Sequence, residues 1–283
     1  MPHLAYVNGR YLPHDHAAVH IEDRGYQFAD GVYEVTAVTG GRLVDNGPHM
    51  ERLDRSLREL GIAWPMSPAA LTRVQEEVIR RNRVREGIVY LQVTRGVARR
   101  DHAFPVRAAP ALVVTARHAG PPKAALVDKG VKVILQKDIR WGRCDIKSVA
   151  LLPNVLAKQA AREAGAFEAW LVDDDGFVTE GSSTNAWIVD ADHNLVTRHL
   201  ENAILSGVTR RILVELAAAE GHKIVERPFT PAEAMAAPEA FLTSTTSFVM
   251  PVVQIDDRPI GAGIPGPVTR RLRALYEAHV QRG

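Results

Sequence analysis

Apolar residues recur along the chain with two different periods, and the switches between them outline its elements. Leu4-Ala5-Tyr6-Val7 is followed by Asn8-Gly9, a pair that favours a type I′ hairpin because both residues accept positive φ. Val32 to Val38 alternates, is rich in β-branched residues and stops at Gly40-Gly41, the pattern of a strand. Pro48 then opens a helix in which Met50, Leu53, Leu57 and Leu60 fall at helical spacing, and Gly61 ends it. A second helix has Ser67 as N-cap, Pro68 at its first position and Leu71, Val74, Val78 and Ile79 as its inner face. Ile88–Val93 and Ala111–Ala116 read as strands separated by a polar, Arg-rich loop.

Ala119-Gly120-Pro121-Pro122-Lys123 is the best linker in the chain. It suggests a smaller N-terminal domain over 1–118, a linker at 119–124 and a larger C-terminal domain over 125–283. Beyond it come a strand at Val131–Leu135 and an Ala-rich helix from about Leu151 to Ala164. Hairpin-like pairs follow around Asp174-Asp175-Gly176 and Asp192-His193-Asn194. A helix over about Val208–Glu220, strands near Ile224 and Phe241, and a C-terminal helix from Val268 complete the pattern. Strands and helices mix without a strict βαβ beat, so the expected class is α+β (mixed α/β) in two domains.

Composition narrows the partners. Hydrophobic residues are 46% and charged residues 24%, ordinary globular values that argue against disorder. There are 28 Arg against seven Lys, yet the net charge is only +2. The densest basic run, Arg80-Arg81-Asn82-Arg83-Val84-Arg85, lies in a helical pattern and reads as a solvated face, so no nucleic acid is expected. Cys144 is the single cysteine, which excludes an intrachain disulfide and a cysteine metal site. The eleven His show no metal-binding spacing, and no metal is expected. No apolar stretch reaches 18 residues and the first residues lack a secretory pattern, so a soluble, cytoplasmic protein without membrane contact is expected.

Several segments carry polar residues that packing does not demand. Gly207-Val208-Thr209-Arg210 places a turn at a helix start, where free N–H groups and the positive dipole end can receive an anion. Thr243-Ser244-Thr245-Thr246-Ser247 puts five hydroxyls after an apolar strand. Taken singly, each is explained by an ordinary cap or loop start; together they point to a phosphate-bearing ligand. Neither a nucleotide phosphate loop nor a G-x-G-x-x-G follows a strand, so a small phosphorylated cofactor fits better than a nucleotide. Lys147, in an apolar-flanked stretch, has the setting of a partly desolvated amine that works as nucleophile or base. Glu180 opens the sharp turn Glu180-Gly181-Ser182-Ser183-Thr184-Asn185, where a carboxylate could hold a cationic ring nitrogen.

These residues fall in blocks that resemble the class IV (fold type IV) pyridoxal-phosphate aminotransferases. The blocks are Asp23 to Val35 (DRGYQFADGVYEV), Asp138-Ile139-Arg140-Trp141 with Cys144-Asp145-Ile146-Lys147-Ser148, and Val178 to Asn185 (VTEGSSTN). Leu205 to Arg210 (LSGVTR) and Thr243 to Ser247 complete the set, in family order across most of the chain. Ala29 and Thr184 are minor departures. The resemblance implies that Lys147 carries pyridoxal 5'-phosphate as a Schiff base and that Glu180 partners the pyridine nitrogen. It gives the phosphate to Arg52, on the exposed side of the Pro48–Leu60 helix, with Val208, Thr209 and Thr245 supplying backbone and hydroxyl donors. Leu205 is implied to pack on the cofactor ring, and 125–283 to be the cofactor-binding domain.

Thr94 to Pro105 (TRGVARRDHAFP) resembles the loop that carries a carboxylate trap in the family's D-amino-acid-specific members. By that match Arg100 and His102, with Tyr33, receive the substrate carboxylate; Arg99 competes with Arg100, and spacing to His102 favours the latter. A guanidinium, an imidazole and a phenol can all donate to one carboxylate. The family implies that this loop reaches in from the partner subunit of a homodimer. The implied reaction moves an amino group between a D-amino acid such as D-alanine and a 2-oxo acid such as 2-oxoglutarate, in two stages, with the Lys147 amine shuttling the proton. Three other activities of the same fold stay open: an (R)-amine transaminase, a branched-chain L-amino-acid transaminase and an aminodeoxychorismate lyase. A non-enzymatic phosphate-ligand protein is a further class, for which Lys147 would have no use.

Overall fold

The computed structural model describes residues 3–120 and 124–282; Pro121, Pro122 and Lys123 of the expected linker lie outside the described residues. The chain divides into two compact units, Met1–Pro121 with Ile146–Ala150, and Pro122–Asp145 with Leu151–Gly283. The short segment Ile146–Ala150, which contains Lys147, thus belongs with the first unit although it lies well past the 119–124 boundary.

The first unit is built on a six-stranded antiparallel sheet. Its strands are β1 (Leu4–Val7), β2 (Arg10–Pro13), β3 (Gly31–Thr39), β4 (Arg42–Leu43), β5 (Gly87–Thr94) and β6 (Ala111–His118), in the order β2-β1-β6-β5-β3-β4. Asn8 and Gly9 take φ of 45° and 90° in the two-residue β1–β2 turn, as their sequence demands. A five-residue helix α1 (Arg24–Phe28) precedes β3; Asp23 caps it and Ala29, left-handed at φ 56°, ends it. Helix α2 (Asn46–Leu60) packs on β3, and α3 (Pro68–Arg81) packs on β1 and β6. Leu53 and Leu57 of α2 and Leu71 and Val78 of α3 are wholly buried in the core with Val32, Val93 and Val114. Each such leucine contributes about 1.5–3 kcal/mol by leaving water. Helix α2 starts two residues before Pro48, which the first turn tolerates because an N–H at that position would have no helical partner, so proline's missing donor costs no bond.

The second unit carries α4 (Ala124–Lys129), β7 (Val131–Lys137), α5 (Leu152–Glu163), β8 (Glu168–Val172), β9 (Val178–Gly181), β10 (Asn185–Val189) and β11 (Leu195–Thr197). It continues through α6 (Val208–Ala219), β12 (Ile224–Glu226), α7 (Pro231–Ala236), β13 (Glu239–Ser244), β14 (Phe248–Ile255), β15 (Arg258–Pro259) and α8 (Pro267–Arg282). Its sheet runs β12-β11-β10-β13-β14-β7-β8-β9, with β15 on β14. The β11–β12, β14–β7 and β7–β8 pairs are parallel and the rest antiparallel, which makes the mixed α/β class explicit. Trp170, Trp187, Phe229 and Phe241 fill the interior, and α8 covers β13 and β14. Among the described residues, no helix is long and apolar enough to cross a membrane, and no three His, Cys, Asp or Glu residues are grouped to hold a metal ion.

Candidate active site

In the first unit, Lys147 is fixed by its backbone. Its carbonyl accepts from Tyr33 N at 3.0 Å, its own N–H donates to Ser56 Oγ at 3.2 Å, and Val149 N donates to Gly31 O at 3.0 Å. The segment is therefore stitched to the start of β3, and Ser148 forms a bridge with Val32. The Lys147 amine stands 4.2 Å from the centroid of the Tyr33 ring, a cation–π contact that aims the side chain along that strand face. Tyr33 in turn leans on Tyr90, whose hydroxyl burial pushes up to about 12. Lys147 is half-buried, in keeping with its apolar-flanked sequence.

Arg52 corrects an expectation. Its side chain is only 9% exposed, so it does not lie on the exposed side of its helix. The reason is Glu34, which β3 points inward beneath α2. Arg52 Nε donates to Glu34 Oε1 at 2.8 Å and Nη2 to Oε2 at 2.7 Å, while His49 Nδ1 sits 2.8 Å from Oε2. Burial by itself would raise the Glu34 carboxyl, but the Arg52 guanidinium and the His49 contact outweigh it and hold the group at about 2. Burial likewise pushes the His49 imidazole down, against the pull of Glu34.

The loop bearing Arg100 and His102 belongs to the same unit. Both side chains are exposed. Both converge on Phe28, the Arg100 guanidinium 4.6 Å from the ring centroid and the His102 ring 5.5 Å away.

In the second unit, Glu180 is the penultimate residue of β9 and is buried. Its Oε2 accepts from Leu205 N at 3.1 Å and from Asn185 Nδ2 at 3.0 Å, and its Oε1 accepts from Arg140 Nη1. Arg140 also donates to Asp138 Oδ2 at 2.7 Å and to Ala203 O at 3.0 Å. Asp138 is consequently held below the usual carboxylate range, against its own burial. Burial, with Glu180 and Asp138 adding to it, pushes the Cys144 thiol up to about 11 even though Arg140 opposes it. Asn185 ties this half together. Its amide also donates to Leu205 O at 3.0 Å, and a Cβ on Gly207 would lie 2.0 Å from its Oδ1, so only glycine lets that turn close.

Gly207 is the N-cap of α6 and provides no side-chain capping bond, so the first-turn N–H groups have no partner of that kind. Val208 and Thr209 are buried at that end, Leu205 half-buried beside it. The hydroxyl run is less uniform than its sequence suggests. Thr243 lies opposite Asn185 in the sheet and turns into the core, where its Oγ1 accepts from Trp187 Nε1 at 3.1 Å. Ser244 Oγ accepts from Ser247 N at 3.1 Å and closes the turn that carries Thr245. Of the five hydroxyls, Thr243 thus serves packing and Ser244 the turn.

The class IV aminotransferase family model matches residues 31–255, which takes in every one of these groups except Phe28. The chain is a class IV aminotransferase. It is 42% identical over 271 residues to the D-alanine aminotransferase of Bacillus licheniformis, covering 95% of this chain and 94% of that protein. It is 37% identical over 277 residues to the D-alanine aminotransferase of Staphylococcus aureus strain N315, covering 98% and 97%. Among solved structures, a T.th. branched-chain amino acid aminotransferase with pyridoxamine 5'-phosphate superposes with a TM-score of 0.91 at 28% identity, over 100% of this chain and 96% of that one. The 4-amino-4-deoxychorismate lyase from Pseudomonas aeruginosa gives 0.85 at 27% identity, over 97% and 98%.

In this aminotransferase several groups around the candidates escape the sequence reading. Arg140, Asp138 and Asn185 fix Glu180; Glu34 and His49 fix Arg52; Arg24, Asp30 and Arg95 fix the loop that carries Arg100 and His102. Most sit inside the same motif blocks, so charge within a block was the available signal, but their partners lie far off in sequence. Arg95 and Asp30 are 65 positions apart, Arg140 and Glu180 are 40.

Proposed function

We propose that this aminotransferase exchanges an amino group between a D-amino acid, D-alanine being the first candidate, and a 2-oxo acid such as 2-oxoglutarate. The observation that carries the reading is the pairing of Arg100 with His102 over one aromatic ring. Two cationic-capable donors on one exposed loop suit a substrate carboxylate, which a simple amine lacks. Near full-length similarity to D-alanine aminotransferases supports it, and the branched-chain structures, at lower identity, favour it less.

Pyridoxal phosphate is the cofactor, and the donor set present fits it: an amine at Lys147, a carboxylate at Glu180 and an α6 N-terminus without a side-chain cap. When bound, it supplies an aldehyde that condenses with amines and a ring that draws electron density from the substrate Cα. In this assignment Lys147 Nζ would hold the cofactor through its aldehyde carbon and, once the substrate amine has displaced it, would be the free base that takes the Cα proton and hands it on. Glu180, whose carboxylate accepts from the Arg140 guanidinium and two N–H donors, would hold the proton on the pyridine nitrogen. Thr209, Val208 and Thr245 would hold the phosphate through backbone and hydroxyl donors, with Arg52 adding its charge, and Leu205 would cover the ring. Tyr33 joins Arg100 and His102 at the carboxylate.

A homodimer in the cytoplasm is part of the proposal. Ile21, Tyr26, Val97, Phe104 and Val106 of the first unit are exposed, as are Ile139, Leu152, Val155, Leu156 and Leu200 of the second. A second copy of the chain is the occupant that such apolar surface suits.

Borohydride reduction followed by peptide mapping tests the assignment: the reduced adduct is expected on Lys147, and an adduct elsewhere overturns it. A donor screen with both alanine enantiomers and a simple chiral amine is expected to give turnover with D-alanine. Equal turnover with the amine would favour an amine transaminase instead.

A further inference from the structure

Arg100 and His102 belong to a stretch, 98–110, without helix or strand, so something else must hold their backbone. Arg24 is that support. Its side chain is 3% exposed, and it donates to three consecutive carbonyls of the loop: Nη1 to Asp101 O at 2.6 Å and Ala103 O at 3.3 Å, Nη2 to His102 O at 3.4 Å. On its other edge Nε donates to Asp30 Oδ2 at 2.7 Å. Asp30 is gripped by a second guanidinium, Arg95, through Nε at 2.7 Å and Nη2 at 3.0 Å. Arg95 itself is anchored to the end of α2 by Leu60 O at 2.7 Å and Gly61 O at 3.1 Å, and lies 3.6 Å from the ring centroid of Phe104. Phe28 completes the arrangement: the Arg24 guanidinium is 4.8 Å from its centroid, and Arg100 and His102 meet the same ring.

We propose that Arg24 is a positioning residue for the substrate carboxylate, acting through the backbone of Asp101–Ala103 and through Phe28 to set the spacing of Arg100 and His102. The inference rests on the assignment of Arg100 and His102 as carboxylate donors. Arg24 lies too deep to meet substrate itself. Its guanidinium engages three loop carbonyls and one carboxylate at once, geometry that a lysine point charge cannot reproduce. Loss of those bonds frees the loop to sample conformations in which the two donors no longer converge, so binding of the carboxylate weakens while the proton transfer at Lys147 does not change.

The test is steady-state kinetics of the holoenzyme with D-alanine for Arg24→Met, Arg100→Ala and the double variant, with cofactor content measured by absorbance. Arg24→Met is expected to raise KM for D-alanine about tenfold or more, the size expected when a charge-assisted bond is lost, with kcat within about threefold of wild type and cofactor content unchanged. Because Arg24 acts through Arg100 and His102, the double variant is expected to lose less than the sum of the two single losses. Unchanged KM in Arg24→Met, a loss confined to kcat, or additive losses in the double variant would overturn the inference. If Arg100→Ala itself leaves KM unchanged, the carboxylate assignment fails first. Should Arg24→Met not fold, Arg24→Lys carries the same three measurements, since an ammonium can keep the Asp30 pair but not the three carbonyls.

Discussion

Glu34 offers the most quantitative test of how the first unit is held together. Its carboxyl is held at about 2 against an ordinary 4.5, and its side chain is fully buried. At about 1.4 kcal/mol for each pH unit, that difference contributes about 3 kcal/mol to folding at neutral pH. The sign follows from the direction: the folded state depresses the value, so the contribution is complete above the unfolded value of 4.5 and fades as pH falls toward 2. By pH 3 about 2 kcal/mol of it is gone. Glu34→Gln removes this titration and leaves Arg52 buried beside a neutral amide, a change expected to cost about 3 kcal/mol or more at pH 6. The stability gap between wild type and Glu34→Gln should therefore shrink by about 2 kcal/mol between pH 6 and pH 3.

Urea unfolding read by hydrogen exchange over α2 and β3 measures that gap locally, without requiring both units to unfold together. Other depressed carboxylates, Asp30 and Asp138 among them, also lose stabilisation in acid, but they do so in both proteins and cancel in the difference. A gap that stays constant across this range would refute the claim that the folded protein holds the Glu34 carboxyl below its ordinary value. It would also remove the reason given for Arg52 lying buried.

Two further outcomes are accessible by simple mutagenesis. Arg140→Met strips the guanidinium from both Asp138 and Glu180 and is expected to cost about 3–5 kcal/mol, with weaker cofactor binding on titration of the apoprotein; a wild-type melting temperature would contradict it. Gly25→Ala would place a Cβ 2.2 Å from Thr94 Cγ2 and is expected to cost about 1–3 kcal/mol in urea unfolding. Adding Thr94→Ser, which removes that methyl and keeps the hydroxyl bonded to Asp23, should restore part of the loss; no restoration would show the clash is not the cause.

How legible the fold was depended on whether a period or a partner defines each element. The start of helix α3 was readable to the residue because Ser67 and Pro68 mark it, and four apolar residues mark its face. Both central hairpins of the second unit were readable from their turns, Asp174-Asp175-Gly176 and Asp192-His193-Asn194. Helix α1 was not, because five residues show no period and its stability comes from the Asp23 cap and a left-handed Ala29. Strand β14 carries Pro251, which removes one ladder donor; the β7 pairing begins only beyond it, at Val252, with a bulge before Gln254. In the candidate site, residue types were legible and pairings were not. Arg52 illustrates this: helical spacing alone put it outside the core, and only the inward face of β3 reveals the carboxylate that draws it in.

The block Asp23–Val35 reads as catalytic when it is met as a motif, yet most of its charge is spent on architecture. Asp23 caps α1 and accepts from Thr94, Arg24 and Asp30 tie down the loop, and Glu34 fixes Arg52. Tyr33 is the one side chain of the block that meets the Lys147 amine. Buried ion pairs of this kind add little stability over an apolar packing of the same volume, because desolvation offsets most of the attraction. Their value lies in direction. An apolar core would leave the 98–110 loop free to slide by small amounts at nearly equal energy, whereas a guanidinium that has three carbonyls and one carboxylate to satisfy has few arrangements open to it. A substrate carboxylate recognised by two side chains on that loop, as proposed for Arg100 and His102, would need such an arrangement, which gives the block a physical reason to commit its charges to architecture.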